Sequence, residues 1–133
     1  MQKIANVLLI DDDEISNFLT STVIRNTGRV ENIQVCLDGN MALETLKRHL
    51  QQTGKCPELI LLDLNMPEMN GFDFLEAYRS VYNCMHPSVI IILSTSDNIH
   101  DLEELKKYPE VEIYLNKPLN KDSFQYIIDK YFS

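Results

Sequence analysis

Three short runs of this sequence are apolar at every position: VLLI at residues 7–10, LILL at 59–62 and VIIIL at 89–93. A strand with one face in water alternates apolar and polar side chains, whereas a strand covered on both faces is apolar throughout. The runs therefore predict the central strands of a parallel sheet that has helices on both sides. Two further segments, NIQVC at 32–36 and VEIYL at 111–115, alternate more and are typical of edge strands.

Between these strands the apolar residues recur at the spacing of an amphipathic helix. Five helices are predicted, with inward-facing residues Ile15, Phe18, Leu19 and Val23 in the first, Leu43, Leu46 and Leu50 in the second, Phe72, Leu75 and Tyr78 in the third, Leu102 and Leu105 in the fourth, and Phe124, Ile127, Ile128 and Tyr131 in the fifth. The fourth helix is expected within residues 98–107, before Pro109, and Asn120 is the expected N-cap of the fifth. This alternation predicts an α/β protein with a flavodoxin-like, doubly wound, five-stranded parallel sheet of order 2-1-3-4-5.

Length and composition indicate one domain that spans residues 1–133. A net charge of −8, from 20 acidic and 12 basic residues, disfavours direct binding to nucleic acid. No apolar run approaches the roughly 20 residues of a membrane span, and the N-terminus meets acidic residues too early for a secretory signal. The expected location is therefore cytoplasmic. Cys36, Cys56 and Cys84 lack metal-ligand or redox spacing and are predicted to be buried reduced thiols.

Polar residues follow four of the predicted strands at the point where each strand ends. They are Asp11, Asp12 and Asp13 after the first strand, Asp63 after the third, Ser94 and Thr95 after the fourth, and Asn116 and Lys117 after the fifth. Since the carboxyl ends of parallel strands share one edge of the sheet, these residues are predicted to converge. Each segment alone has an ordinary explanation, such as a turn or a helix N-terminus, and we assign the latter role to Asp13. Their occurrence together favours a functional site.

The carboxylates of Asp11, Asp12 and Asp63 would repel one another at this edge unless a cation compensates them. A small set of hard oxygen ligands favours Mg²⁺, with Mn²⁺ as an alternative. A carboxylate can also accept a phosphoryl group as an acyl phosphate, and the transfer needs positive charge and a hydroxyl donor around the phosphoryl oxygens. The sequence therefore predicts Asp63 as the phosphoacceptor, with Lys117 and Ser94 contacting the phosphoryl group.

Over its whole length the chain resembles the receiver domain of two-component response regulators. The resemblance rests on the acidic pair at 11–12, on LLDLNMPEMNG at 61–71, on Ser94 after the apolar run VIIIL, and on YLNKPL at 114–119. The aspartate, proline and glycine of the second segment, joined to the lysine–proline pair and the acidic pair, make the resemblance specific.

The resemblance implies a role for each matching residue. Asp63 would be the phosphoacceptor, Asp12 and Asp63 would bind Mg²⁺ directly, Asp11 would act through water, Asn65 would supply its backbone carbonyl, and Lys117 would contact the phosphoryl oxygens. Ser94 and Tyr114 would form a switch in which the hydroxyl moves toward the phosphoryl group and the aromatic ring turns inward. The bond between Lys117 and Pro118 is expected to be cis, and Asn65 and Ser96 occupy the positions that tune the lifetime of the acyl phosphate.

Two of the departures from the family pattern lie at the predicted site. Three aspartates follow the first strand, so the acidic pair is either Asp11 and Asp12 or Asp12 and Asp13, and the apolar run ending at Ile10 favours the former. Thr95 stands where relatives usually carry alanine or glycine, which predicts restricted access to the phosphoryl site.

These expectations describe a stand-alone response regulator receiver, since the last predicted helix ends too near Ser133 for an output domain to follow. A sensor histidine kinase or phosphotransfer protein would phosphorylate Asp63, and the changed surface would bind a downstream protein. Enzymatic turnover is not expected, because phosphohydrolases of the haloacid dehalogenase type need an aspartate two residues after the nucleophile, where this chain has Asn65. The alternative is a degenerate receiver that binds partners without phosphorylation.

Overall fold

The structure is a computed structural model that describes residues 3–81, 87–95 and 98–132. Strands and helices alternate along the chain. They are β1 (Ile4–Ile10), α1 (Glu14–Asn26), β2 (Val30–Cys36), α2 (Gly39–Thr53), β3 (Leu59–Leu62), α3 (Gly71–Val81), β4 (Val89–Ser94), α4 (Ile99–Leu105), β5 (Val111–Asn116) and α5 (Lys121–Tyr131). None of the helices in these ranges is both long and apolar enough to cross a membrane.

The five strands form one sheet of order β2-β1-β3-β4-β5, in which every neighbouring pair is parallel. The predicted fold class and strand order are therefore confirmed. The three central strands end nearly in step, because Ile10 lies opposite Leu62 and Leu62 lies opposite Ile92. Their carboxyl ends consequently form one straight edge, and the residues that follow them are neighbours.

Successive residues of each central strand enter two different core layers. Ile10, Leu62 and Ile92 pack on the side of α2 and α3, whereas Leu9, Leu61 and Ile91 pack on the side of α1 and α5. All four residues of β3 are completely buried. Burial on both faces explains why these strands are apolar at every position rather than alternating.

Two predicted helix caps are present. The side chain of Asp13 accepts hydrogen bonds from the backbone N–H groups of Ile15 and Ser16 at the start of α1, and that of Asn120 accepts one from Ser123 at the start of α5. Each cap satisfies backbone donors that the first turn of a helix leaves unpaired. Asp13 is therefore committed to α1.

The predicted inward face of α1 is wrong at three of its four positions, since Val23 packs against the core and the other three do not. Ile15, Phe18 and Leu19 are 73%, 68% and 50% exposed. The buried residues are Asn17, Thr20, Ser21 and Ile24, which also recur at helical spacing. The first turns of α1 lie beside the polar end of β1, where Asn17 hydrogen-bonds to the Asp11 carbonyl, so polar side chains face inward and apolar ones face solvent.

Leu102 is also wrongly assigned as an inward residue, since it is 39% exposed. The helix α4 is only seven residues long, and the buried Tyr108, which follows it, contributes to the core beside the partly buried Leu105. Tyr108 donates its hydroxyl hydrogen to Glu76 on α3 at 2.8 Å. The turn after α4, rather than Leu102, therefore anchors this part of the chain.

The cysteines differ from one another. Cys36 is a free and fully buried thiol, as predicted, and burial raises its pKa. Cys56 is disulfide-bonded, so the prediction of a reduced thiol is wrong at that position. Spacing along the chain did not reveal this, because a disulfide depends on which thiols the fold brings together. Cys84 lies outside the described residues.

Candidate functional site

The candidate site lies at the carboxyl-terminal edge of the sheet, where backbone hydrogen bonds continue one residue past the strands. The N–H of Asp63 donates to the carbonyl of Ile10 at 2.9 Å, and that of Lys117 donates to the carbonyl of Ser94 at 3.0 Å. The N–H of Asp11 donates to the carbonyl of Cys36 at 3.0 Å. The side chains at the site are therefore mounted on backbone that the sheet holds in place.

Three carboxylates meet at this edge. Asp11, Asp12 and Asp63 each place a carboxylate oxygen within 4.8 Å of the others. Asp11 and Asp63 are only 2% and 6% exposed, whereas Asp12 faces solvent. Carboxylate oxygens grouped in this way, partly open to water, are the donor set that Mg²⁺ prefers. The residues present thus fit a magnesium site.

Lys117 supplies the positive charge of the cluster. Its Nζ forms an ion pair with Oδ2 of Asp11 and lies 3.5 Å from Oδ2 of Asp63. Burial alone would lower the pKa of the Lys117 ammonium, but the two carboxylates raise it above its ordinary value. The lysine is therefore charged and bridges the ends of β1, β3 and β5.

Two donors are directed at the other carboxylate oxygen of Asp63. The hydroxyl of Ser94 donates to Oδ1 at 2.9 Å, and the N–H of Asn65 donates to the same atom at 3.3 Å. Burial raises the pKa of the Asp63 carboxyl, and the nearby Asp11 adds to this, while Lys117 and these hydrogen bonds oppose it. A net upward shift means that the carboxyl of Asp63 holds its proton more tightly in the fold than it would in water.

The loop between β3 and α3 brings the next helix close to Asp63. The N–H of Gly71 donates to the carbonyl of Leu64 at 2.9 Å. A Cβ atom at Gly71 would lie 2.8 Å from the carbonyl oxygen of Asp63 and 2.9 Å from Cα of Leu64. Because real Cβ atoms do not approach backbone so closely, this position requires glycine. Within the same loop Glu68 has a φ of 66°.

The structure brings together most of the residues that the sequence singles out. Asp11, Asp12, Asp63, Ser94 and Lys117 lie around one point. The bond from Lys117 to Pro118 is cis, as expected. Of the two possible acidic pairs the structure favours Asp11 and Asp12, since Asp13 caps α1.

The remaining predicted site residues differ in how exposed they are. Asn65 and Thr95 are exposed, and Tyr114 is half-buried against the core layer on the α2 and α3 side. The predicted roles of the Asn65 carbonyl and of Tyr114 as a switch stay predictions. Ser96 lies outside the described residues.

Sequence reasoning missed Asn17. This α1 residue is 5% exposed, and its Nδ2 donates to the carbonyl of Asp11 at 2.8 Å. The signal that would have found it is the second helical stripe of α1, in which Asn17 falls on one face with Thr20, Ser21 and Ile24.

A small groove adjoins the cluster. It has a volume of about 240 Å³ and lies between α1 and the start of the β5–α5 loop; its lining includes Ile15, Leu19, Thr95, Lys117 and Pro118. A larger cavity of about 700 Å³ lies at the opposite edge of the sheet, beside Ala5, Glu58 and Val89. The smaller groove is therefore the one that leads to the acidic cluster.

The chain is a doubly wound sheet with a carboxylate cluster and a lysine at its carboxyl edge. Comparison with known proteins identifies the class that shares these features. The family model of the response regulator receiver domain matches residues 7–129. A crystal structure of a two-component response regulator from Cytophaga hutchinsonii is 37% identical, covers 98% of each chain and superposes with a TM-score of 0.88. The chain therefore belongs to the response regulator receiver domain family.

Curated relatives differ in how much of their length the chain matches. The probable methanogenesis regulatory protein FilR2 of Methanothrix harundinacea is 29% identical over 93% of this chain and 79% of its own length. The hybrid signal transduction histidine kinase L of Dictyostelium discoideum is 26% identical over 96% of this chain, which spans only 7% of that protein. Receiver domains thus occur both in short regulators and as parts of much longer proteins.

Proposed function

We propose that this receiver domain, residues 1–133, accepts a phosphoryl group on Asp63 in a Mg²⁺-dependent step and then changes its protein-binding surface. The donor is a sensor histidine kinase or a phosphotransfer protein, and the reaction takes place in the cytoplasm. The observation that carries the proposal is the setting of Asp63, a buried carboxylate between two other acids, a lysine and a serine hydroxyl. Family membership supports it.

In the proposed reaction an oxygen of Asp63 attacks the phosphorus of a phosphohistidine. The bond between phosphorus and the imidazole nitrogen breaks, the imidazole leaves, and an acyl phosphate remains on the aspartate. Lys117, which is already 3.5 Å from Asp63, would pair with a phosphoryl oxygen. The Ser94 hydroxyl, which now donates to Asp63, would donate to another. Both residues thus stabilise charge that the transfer spreads over the phosphoryl oxygens.

The metal site would use the carboxylates of Asp12 and Asp63, the backbone carbonyl of Asn65, and Asp11 through water. When bound, Mg²⁺ would neutralise the acidic cluster and the phosphoryl oxygens. An indirect role for Asp11 is supported by its contacts, since Oδ2 pairs with Lys117 and Oδ1 accepts the N–H of Asp13 at 2.9 Å. Both oxygens of Asp11 are already engaged, whereas Asp12 faces solvent.

The proposed switch begins at Ser94. Redirecting its hydroxyl from Asp63 to the phosphoryl group would shift the end of β4, which lies opposite Asn116 of β5. Tyr114 lies two residues before Asn116 on β5 and is only partly buried, so an inward turn of its ring would bury it further. A local electrostatic change would in this way alter the surface presented to a downstream protein.

The exposed apolar face of α1 supports a protein as the donor. Ile15, Phe18 and Leu19 form this face, and Ile15 and Leu19 also line the groove that reaches Lys117. Contiguous exposed apolar residues on a protein surface mark interaction sites. A partner that covers this face would hold its histidine beside Asp63.

Two other functions are less well supported. A phosphohydrolase of the haloacid dehalogenase type would need a proton donor two residues after Asp63, and Asn65 cannot fill that role. A degenerate receiver would not need the complete charged set that surrounds Asp63 here.

The test is incubation with acetyl phosphate and Mg²⁺, followed by intact mass measurement. We expect the wild-type protein to gain the mass of one phosphoryl group and Asp63→Asn to gain none. Asp13→Asn is the matched control, because asparagine is an equally good helix N-cap, and it should be labelled like the wild type. No labelling of a folded wild-type protein would favour the degenerate receiver, and repeated turnover of phosphate esters would favour the hydrolase.

A further inference from the structure

Asn17 is a buried polar side chain that the proposed chemistry does not use. It lies in the first turns of α1 and is 5% exposed. Its Oδ1 is buried and has no hydrogen-bond partner among the described residues. A buried oxygen of this kind costs free energy that an apolar side chain of similar size would avoid. An asparagine at this position therefore calls for an explanation.

The hydrogen bond donated by the amide nitrogen of Asn17 explains why an asparagine occupies this position. This nitrogen donates to the backbone carbonyl of Asp11 at 2.8 Å, and that carbonyl belongs to the peptide group joining Asp11 to Asp12. The other side of Asp11 is held by the bond from its N–H to the carbonyl of Cys36. Together the two bonds fix the position of Asp11 and the plane of the peptide that follows it.

Asp12 depends on this peptide for its position. Within the described part of the chain, no hydrogen bond or ion pair holds the Asp12 carboxylate, which faces solvent. Asp11, by contrast, is fixed by Lys117 and by the N–H of Asp13. The direction in which the Asp12 side chain leaves the backbone is therefore set by the peptide group that Asn17 holds.

We propose that Asn17 is a positioning residue for divalent metal binding, which acts by fixing the Asp11–Asp12 peptide so that the Asp12 carboxylate points at the metal. The inference rests on the proposed function, since it concerns the same magnesium site. It explains why an amide with an unpartnered oxygen occupies a buried position. Residues that orient metal ligands commonly change metal affinity by about 10- to 100-fold when replaced.

The experiment is a titration with Mg²⁺ in the absence of any phosphoryl donor. Binding is measured by isothermal titration calorimetry and by the change in the NMR chemical shift of the Asp12 amide. Asn17→Leu keeps the size of the side chain and removes the donor. Ser21→Ala is the matched control, because Ser21 is buried on the same face of α1. Thermal unfolding of each variant measures the structural effect separately. Asn17→Ala provides a smaller replacement that also lacks a donor if the leucine variant does not fold.

We expect the Kd for Mg²⁺ to rise about 10-fold or more in Asn17→Leu and to change less than about 2-fold in Ser21→Ala, even where both lower the Tm. Wild-type affinity in a folded Asn17→Leu or Asn17→Ala variant would overturn the inference while leaving the proposed function intact. Failure of Mg²⁺ to bind the wild-type protein, or binding that Asp12→Asn does not weaken, would overturn both.

Discussion

Ser94 donates its hydroxyl hydrogen to Oδ1 of Asp63 at 2.9 Å, so the ends of β3 and β4 are joined through the proposed phosphoacceptor. A hydrogen bond to an ionised carboxylate lowers its pKa, and here it opposes the upward shift caused by burial. Ser94→Ala should therefore raise the pKa of Asp63 further. The carboxyl carbon shift of Asp63, followed by NMR in Mg²⁺-free buffer, measures this. An unchanged pKa would show that the bond is not formed in solution.

Asp63→Asn should stabilise the fold near neutral pH. The pKa of Asp63 is raised, chiefly by burial, so the folded state binds a proton more tightly than the unfolded chain. Stability is then lost as pH rises from the unfolded pKa through the folded pKa. Above that window the variant should be more stable than the wild type, and below it the two proteins should be alike. Urea unfolding without Mg²⁺ at several pH values tests this, with Asp13→Asn as the control.

Removal of the lysine charge should make folding depend on metal. Lys117→Met would leave the carboxylates of Asp11 and Asp63, which are 2% and 6% exposed, without their cation. Breaking a buried ion pair from one side costs about 3–5 kcal/mol. We expect a loss near the lower value in EDTA and partial recovery when Mg²⁺ is added. Equal stabilities of the variant with and without Mg²⁺ would contradict a metal site at this cluster.

Gly71→Ala should disturb the proposed phosphoacceptor directly. The new Cβ would collide with the carbonyl oxygen of Asp63 and with Cα of Leu64, so the backbone at the end of β3 must shift. Overpacking of this kind costs about 1–3 kcal/mol. Gly54→Ala is a matched control, since Gly54 has a φ of 73° and open space around it, so its cost of roughly 1 kcal/mol is purely conformational. Only Gly71→Ala should slow labelling by acetyl phosphate.

Phe18→Ser should weaken binding of the proposed protein donor without affecting phosphorylation by a small-molecule donor. Phe18 is 68% exposed on α1, so stability should change by less than about 0.5 kcal/mol. Labelling by acetyl phosphate should be unaffected. Transfer from a phosphorylated phosphotransfer protein should slow about 10-fold or more, as for a central interface residue. Tyr126→Ser on α5, which is 48% exposed in the wild type, is the control. Equal loss in both variants would argue against α1 as the contact surface.

The sheet and the convergence of polar residues at its edge were both predictable from the sequence for one physical reason. Burial on both faces makes β3 and its neighbours apolar at every position, and the residues that interrupt such runs at their carboxyl ends must meet at one edge. Side-chain direction was less predictable. The apolar and polar stripes of α1 have the same period, so periodicity alone did not show that Asn17 faces inward and Phe18 outward. The contacts of Asn17 depend on how α1 docks.

The exposure of apolar residues on α1 has an evolutionary consequence. Ile15, Phe18 and Leu19 are exposed and contribute little to the core, whereas Asp63 and Lys117 are held by the sheet. If the donor contacts α1 as proposed, substitutions on its outer face would change which donor is recognised without altering the stability of the domain. Under the same proposal, gene duplication followed by change at these three positions would give signalling pathways that share one reaction and use different donors.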